Sequence, residues 1–154
     1  MVEIKLNDEA ATIAFAQPFA AFLAPPFVIY LNGDLGAGKT TFARAILRHL
    51  GVLGTIKSPT YALVESYKIA AFNLHHFDFY RFNAPVEFEE AGLLEYFLSD
   101  SICFVEWAQK AADFVPPADL EFCLTHVPNF PHERLLQIKA TSAIGQNCLQ
   151  KLAQ

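Results

Sequence analysis

Residues 33–40 read Gly-Asp-Leu-Gly-Ala-Gly-Lys-Thr, a complete G-x-x-x-x-G-K-[ST] pattern set between the apolar run Phe27-Val28-Ile29-Tyr30-Leu31 and a segment with helical periodicity. A strand, a glycine loop and a helix in that order form a cradle for phosphate. A polyphosphate is well solvated by water, so a protein must offer it many donors at once and bring backbone close. Gly33, Gly36 and Gly38 permit that approach, and the helix that follows aims its unpaired amides and positive dipole end at the same point. The expected ligand set is Asp34, Leu35, Gly36, Ala37, Gly38, Lys39, Thr40 and Thr41. Within it Lys39 reaches the β and γ phosphates, and Thr40 places its hydroxyl on Mg²⁺. The ligand expected from this pattern is a nucleoside triphosphate with its magnesium. No Asn-Lys-x-Asp segment of the guanine-specific kind occurs, so adenine is expected over guanine and the ligand is read as ATP.

The rest of the chain fits one α/β domain over residues 1–154. The expected fold class is a three-layer α/β sandwich of P-loop NTPase type around a central, mostly parallel sheet. A chain of this length, 53% hydrophobic with 15 Phe, buries enough surface to fold without metal or disulfide. Strands are expected at 2–6, 27–31, 61–67, 72–79, 102–105, 119–126 and 133–140. Helices are expected from an Asn7-Asp8-Glu9 cap towards Leu23, with Pro18 kinking or restarting it, over 39–50 with Gly51 as its stop, from Asn83-Ala84-Pro85 to Ser99-Asp100 with Phe88 and Leu94 on its apolar side, and after Ser142.

The formal net charge of −5 argues against a nucleic-acid partner held by counterion release. Ala10 to Gly33 carries only uncharged residues, long enough to resemble a membrane span. It contains Pro18, Pro25-Pro26 and Asn32, and it ends in the strand that feeds the glycine loop. The expectation is therefore a cytoplasmic protein with no membrane partner. Cys103, Cys123 and Cys148 show no metal spacing and are read as reduced core residues. His75 and His76, adjacent on a strand, point to opposite faces, which favours a structural or supporting role over joint metal binding.

A triphosphate site needs an acid beside Mg²⁺ and a group to position the attacking water. Glu106 ends the strand 102–105, at the sheet edge where such an acid sits. Asp78 lies among aromatics in His76-Phe77-Asp78-Phe79-Tyr80-Arg81. Either could instead be a strand-end acid paired with a cation. Ser58 and Thr60 in Ser-Pro-Thr-Tyr could sense the γ phosphate as a switch or merely turn into a strand. Trp107, the only tryptophan, is either core or a wall of the site, with core slightly favoured.

Together, Gly-Asp-Leu-Gly-Ala-Gly-Lys-Thr-Thr at 33–41, Ser-Pro-Thr-Tyr at 58–61, His-Phe-Asp-Phe-Tyr-Arg at 76–81, Gly92-Leu93 before Glu95-Tyr96, and Val-Glu-Trp at 105–107 resemble the TsaE family. That family is the small ATPase subunit of the bacterial machinery that makes threonylcarbamoyladenosine in tRNA. The resemblance implies that Lys39 and Thr40 bind phosphate and Mg²⁺, that Glu106 is the acidic metal partner, that Asp78 is needed for hydrolysis, and that Thr60 belongs to a switch-like loop. It also implies two partners, a transferase subunit and its scaffold paralogue, with tRNA reached only through them. The likeness covers about residues 27–107, and nothing functional is carried over for the segment after about 110. A small-molecule kinase is the first alternative, disfavoured by only four scattered arginines, Arg44, Arg48, Arg81 and Arg134. A non-catalytic nucleotide-binding module is the second. Arg81 is the one internal candidate for a transition-state cation, or else a docking residue.

Overall fold

The computed structural model describes residues 1–153. Its seven strands, β1 (Val2–Leu6), β2 (Phe27–Asn32), β3 (Val64–Ile69), β4 (Phe72–Asp78), β5 (Ser101–Glu106), β6 (Leu120–Val127) and β7 (Phe130–Ala140), form one sheet in the order β1-β7-β6-β2-β5-β4-β3. The four central strands, β6, β2, β5 and β4, run parallel. The flanking pairings β1·β7, β6·β7 and β3·β4 are antiparallel. The expected mostly parallel sheet is thus a mixed one. The cause is loop length: only Ala70-Ala71 joins β3 to β4 and only Pro128-Asn129 joins β6 to β7, whereas a parallel return needs a crossover of a dozen or more residues.

The central strands are buried on both sides. From β2, Phe27, Ile29 and Leu31 enter one core with Leu74, Ile102, Phe104 and Phe122. That face is covered by α1 (Glu9–Ala20), α2 (Lys39–Leu50) and α4 (Ala143–Leu152). Val28 and Tyr30 face a second core of Phe77, Phe79, Phe82, Phe88, Cys103 and Val105, covered by the short α3 (Glu87–Glu90) and by 3-10 turns at Leu93–Tyr96 and Ala108–Ala111. The layers are therefore unequal: long helices on one side, short turns and stacked aromatics on the other.

Local chemistry accounts for most element boundaries. The Asp8 carboxylate caps α1 by accepting from the Ala11 amide at 2.8 Å, and the Ser142 hydroxyl caps α4 by accepting from Gly145. Gly51, at φ 114°, stops α2 in the left-handed conformation that glycine adopts without strain. Three expectations on element bounds are corrected. Helix α1 runs through Pro18 without restarting and ends at Ala20; proline withholds a single N–H donor, so only the Ala14 carbonyl loses its partner. The strand expected from 61 begins at Val64, because Leu63 takes φ 69° and donates its amide back to the Pro59 carbonyl. The helix expected across 83–100 is broken at Gly92, φ 68°, so Leu93 is buried and Leu94 is exposed, the reverse of the expected register. The uncharged run 10–33 is divided between α1 and β2, and no helix among the described residues is long and apolar enough to cross a membrane.

Candidate functional site

The site forms where β2, β4 and β5 end side by side. The register pairs Leu31 with Glu106 and Glu106 with Asp78, bringing both acids to the carboxyl edge of the sheet next to the loop that leaves β2. Alternation along β4 places His76 and Asp78 on one face and His75 and Phe77 on the other. The first pair thereby joins the face carrying α2.

The loop from Gly33 to Gly38 is made by its glycines. At Gly33, φ 148°, a Cβ would come within 2.5 Å of the Leu124 carbonyl oxygen on β6, a backbone contact that cannot give way. Gly38, at φ 106°, turns the chain into α2 and offers no side-chain cap. Unlike α1 and α4, this helix therefore begins with free amides, the arrangement that suits an anion. Lys39 is buried at the first turn. Its ammonium donates to the carbonyls of Gly33 and Asp34 and lies 4.1 Å from the centre of the Trp107 ring. Burial pushes its pKa down, opposed by Glu106, Asp78 and Asp34.

Glu106, only 2% exposed, is the hub of a buried network. Both carboxylate oxygens lie 3.1 Å from the Thr40 hydroxyl, and Oε2 accepts from His76 Nε2 at 2.6 Å. His76 is itself buried, as expected of a supporting residue, while His75 turns to the other face and pairs with the Ser66 hydroxyl. Asp78 accepts from the Tyr80 amide at 2.9 Å. Burial raises its pKa, with the nearby Glu106 charge adding to the rise and the Tyr80 hydrogen bond opposing it.

These groups line one cavity of about 270 Å³, bounded by Leu35, Gly36, Gly38, Lys39, Thr40, Thr41, Thr60, Asp78, Tyr80, Glu106 and Trp107. Trp107 thus walls the site, where core was slightly favoured. At φ 60° it leaves the strand direction and packs against Tyr80 with the rings tilted, their centres 5.0 Å apart. Thr60 reaches the cavity, whereas Ser58 is exposed and bonds Thr60 from outside, oxygen to oxygen 2.8 Å. The Asp34 side chain is exposed, and the loop uses its backbone carbonyl instead. Ala37 is buried under the loop. Arg81 stacks over the Tyr61 ring at 4.0 Å and lies outside the cavity lining.

Two contributors escaped the sequence reading. The His76–Glu106 bond follows from the β4·β5 register, and its only local sign is the two-residue spacing from Asp78. Arg134, from β7, donates to the Gly36 and Ala37 carbonyls at the back of the loop, and no local pattern marks it.

The donor set suits a hard, oxygen-seeking ion bound together with a ligand. A hydroxyl and a carboxylate stand together beside free helix amides, while the described residues contain no group of three or more His, Cys, Asp or Glu that would hold a metal alone. Mg²⁺ is commonly held in this way, by one or two protein oxygens together with phosphate and water.

The family model described as "Threonylcarbamoyl adenosine biosynthesis protein TsaE" matches residues 6–134. A Haemophilus influenzae protein named "tRNA threonylcarbamoyladenosine biosynthesis protein TsaE" is 40% identical over 149 residues, spanning 94% of this chain and 92% of its own. A Bacillus subtilis protein of the same name is 39% identical over 113 residues, 73% of this chain and 70% of its own. The crystal structure of Bacillus subtilis YdiB superposes with a TM-score of 0.83 at 28% identity, over 99% of this chain and 93% of that one.

Proposed function

This chain belongs to the TsaE family, and from that premise we propose that it serves the biosynthesis of threonylcarbamoyladenosine in tRNA as a P-loop ATPase whose nucleotide state regulates a partner complex. The observation that carries the reading is the convergence of a free helix start, Lys39, Thr40, Asp78 and Glu106 on one cavity.

In this reading the loop amides and the start of α2 receive the phosphates, and Lys39 leaves the Gly33 and Asp34 carbonyls to meet them. Thr40 and Glu106 would hold Mg²⁺, with His76 fixing the Glu106 carboxylate. When bound, the ion would supply positive charge to offset that of the phosphates. Asp78, whose raised pKa makes it a better proton acceptor than an ordinary carboxylate, orients the attacking water and receives its proton. Tyr80 and Trp107 exclude bulk water from that end. A second cleft, lined by Thr12, Gly36, Gly38, Thr41, His132 and Arg134 among others, opens on the other flank of the loop and offers room for the nucleoside.

No arginine among the described residues lines the main cavity. Arg48 bonds the Val52 carbonyl at the end of α2, and Arg81 faces Tyr61. Phosphoryl transfer gains ~10³-fold or more from an added cation on the transition state. Slow hydrolysis by the isolated chain and stimulation by the transferase subunit with its scaffold paralogue are the expected consequence. Phosphate release is to be measured for the chain alone and with the purified pair, at concentrations where the complex forms. Faster release with the pair is expected, and equal rates refute partner activation.

A further inference from the structure

We propose that Arg134 is a positioning residue of the nucleotide site, holding the phosphate loop from behind so that its Gly38 amide stays turned toward the ligand. The inference rests on the nucleotide-binding reading and deepens it.

Arg134 lies on β7, opposite Leu6 of β1 and His126 of β6, and is half-buried. Four of its five guanidinium N–H donors are engaged, and the side chain also borders the second cleft beside the loop. Nε donates to the Ala37 carbonyl at 3.0 Å and Nη2 to the Gly36 carbonyl at 3.2 Å. Nη1 donates to the carbonyls of Pro131 at 2.9 Å and Glu133 at 2.8 Å. The last two bonds lock the head group to its own strand, and the first two reach across 97 and 98 residues of sequence to the loop.

The consequence follows from peptide geometry. In a trans peptide the carbonyl and the next amide point in opposite directions. Pinning the Ala37 carbonyl toward β7 therefore turns the Gly38 N–H away from β7, and Gly38 lines the cavity. The amide sharing a peptide with the Gly36 carbonyl, that of Ala37, already donates to Asp34 at 3.1 Å. Ala37 is flanked by glycines at φ 78° and 106° with open space around both. Glycine populates left- and right-handed conformations about equally, so nothing within the loop itself prevents these peptides from rotating. The planar fork of arginine engages two adjacent carbonyls at once, which a lysine ammonium does not reproduce.

The test compares wild type, Arg134→Ala and Arg134→Lys in calorimetric titrations with MgATP and with magnesium tripolyphosphate, which has the phosphates but no nucleoside. Titrations are run well below the thermal midpoint of each variant, so that only folded protein is compared. Arg134→Ala is expected to weaken both ligands by the same factor, about tenfold, as loss of a charged hydrogen-bonding group implies. Arg134→Lys should recover only part of that loss. Unchanged ATP affinity in Arg134→Ala overturns the proposal. So does a loss confined to ATP, which would mean direct contact with the nucleoside, or full recovery by Arg134→Lys, which would reduce the role to charge. If Arg134→Ala fails to fold, Arg134→Gln replaces it, with a loss for both ligands larger than that of Arg134→Lys expected and unchanged affinity again decisive against. Failure of the wild type to bind ATP at all would instead remove the underlying nucleotide reading, an outcome distinct from a wild type that binds and a variant that binds equally.

Discussion

Replacing Glu106 separates the structural from the chemical role of one side chain. Its carboxylate is 2% exposed and accepts from both Thr40 and His76. Glu106→Ala leaves the buried His76 and the half-buried Thr40 without their acceptor, and breaking a buried polar pair such as His76–Glu106 costs about 3–5 kcal/mol. For a chain of this length each kcal/mol moves the thermal midpoint by roughly 2–4 °C, so a fall of about 10 °C is expected. Glu106→Gln keeps the volume and one acceptor oxygen and loses only the charge-assisted part of the bonding, about 1–2 kcal/mol. Its midpoint should fall by a few degrees. If Glu106 is the acid beside Mg²⁺, the two variants must nevertheless be alike in chemistry: both lose Mg²⁺-dependent phosphate release and the magnesium enhancement of ATP affinity. The assays are calorimetric melting and phosphate release across a magnesium titration. Equal, small melting shifts for both variants would refute the buried network, and normal Mg²⁺-dependent turnover by Glu106→Gln would refute the metal role.

Two further outcomes are expected. Asp78→Asn should melt higher than wild type at pH 8 and lose that advantage as the pH falls: burial raises the Asp78 pKa, so the folded state holds the proton more tightly than the unfolded chain and loses stability as pH rises between the two values. Its hydrolysis should fall more than its ATP affinity, and a variant that melts like wild type at every pH, or releases phosphate normally, contradicts the assignment. The fluorescence of Trp107, the only tryptophan, should change on ATP binding, because Lys39 must leave its place 4.1 Å from the ring to reach phosphate; an unchanged spectrum at saturating nucleotide would rule out that movement.

The elements around the loop were legible because each is specified locally. The apolar run of β2, the glycines and the stripe of α2 with Gly51 behind it need only their own neighbours, and α2 occupies its expected span of 39–50. The mixed sheet was not anticipated, because the strand ends on either side of the Ala70-Ala71 and Pro128-Asn129 spacers were placed too far apart to reveal two hairpins. The start of β3 and the break near Gly92 were harder to read, since each depends on one residue taking a left-handed conformation. Trp107 turns toward the cavity for the same reason. His76 and Arg134 could not be placed from local pattern, because the first acts through strand register and the second across the width of the sheet.

The proposed function requires that the loop at 33–40 receive a triphosphate through Lys39. Calorimetric titration of MgATP into wild type and Lys39→Ala tests this directly, with circular dichroism confirming that both are folded. Removing the ammonium leaves phosphate charge uncompensated while the backbone cradle remains, so wild type should bind and Lys39→Ala should bind at least tenfold more weakly, about 1.4 kcal/mol or more. Equal affinity in the two proteins, or no binding by either, would contradict it.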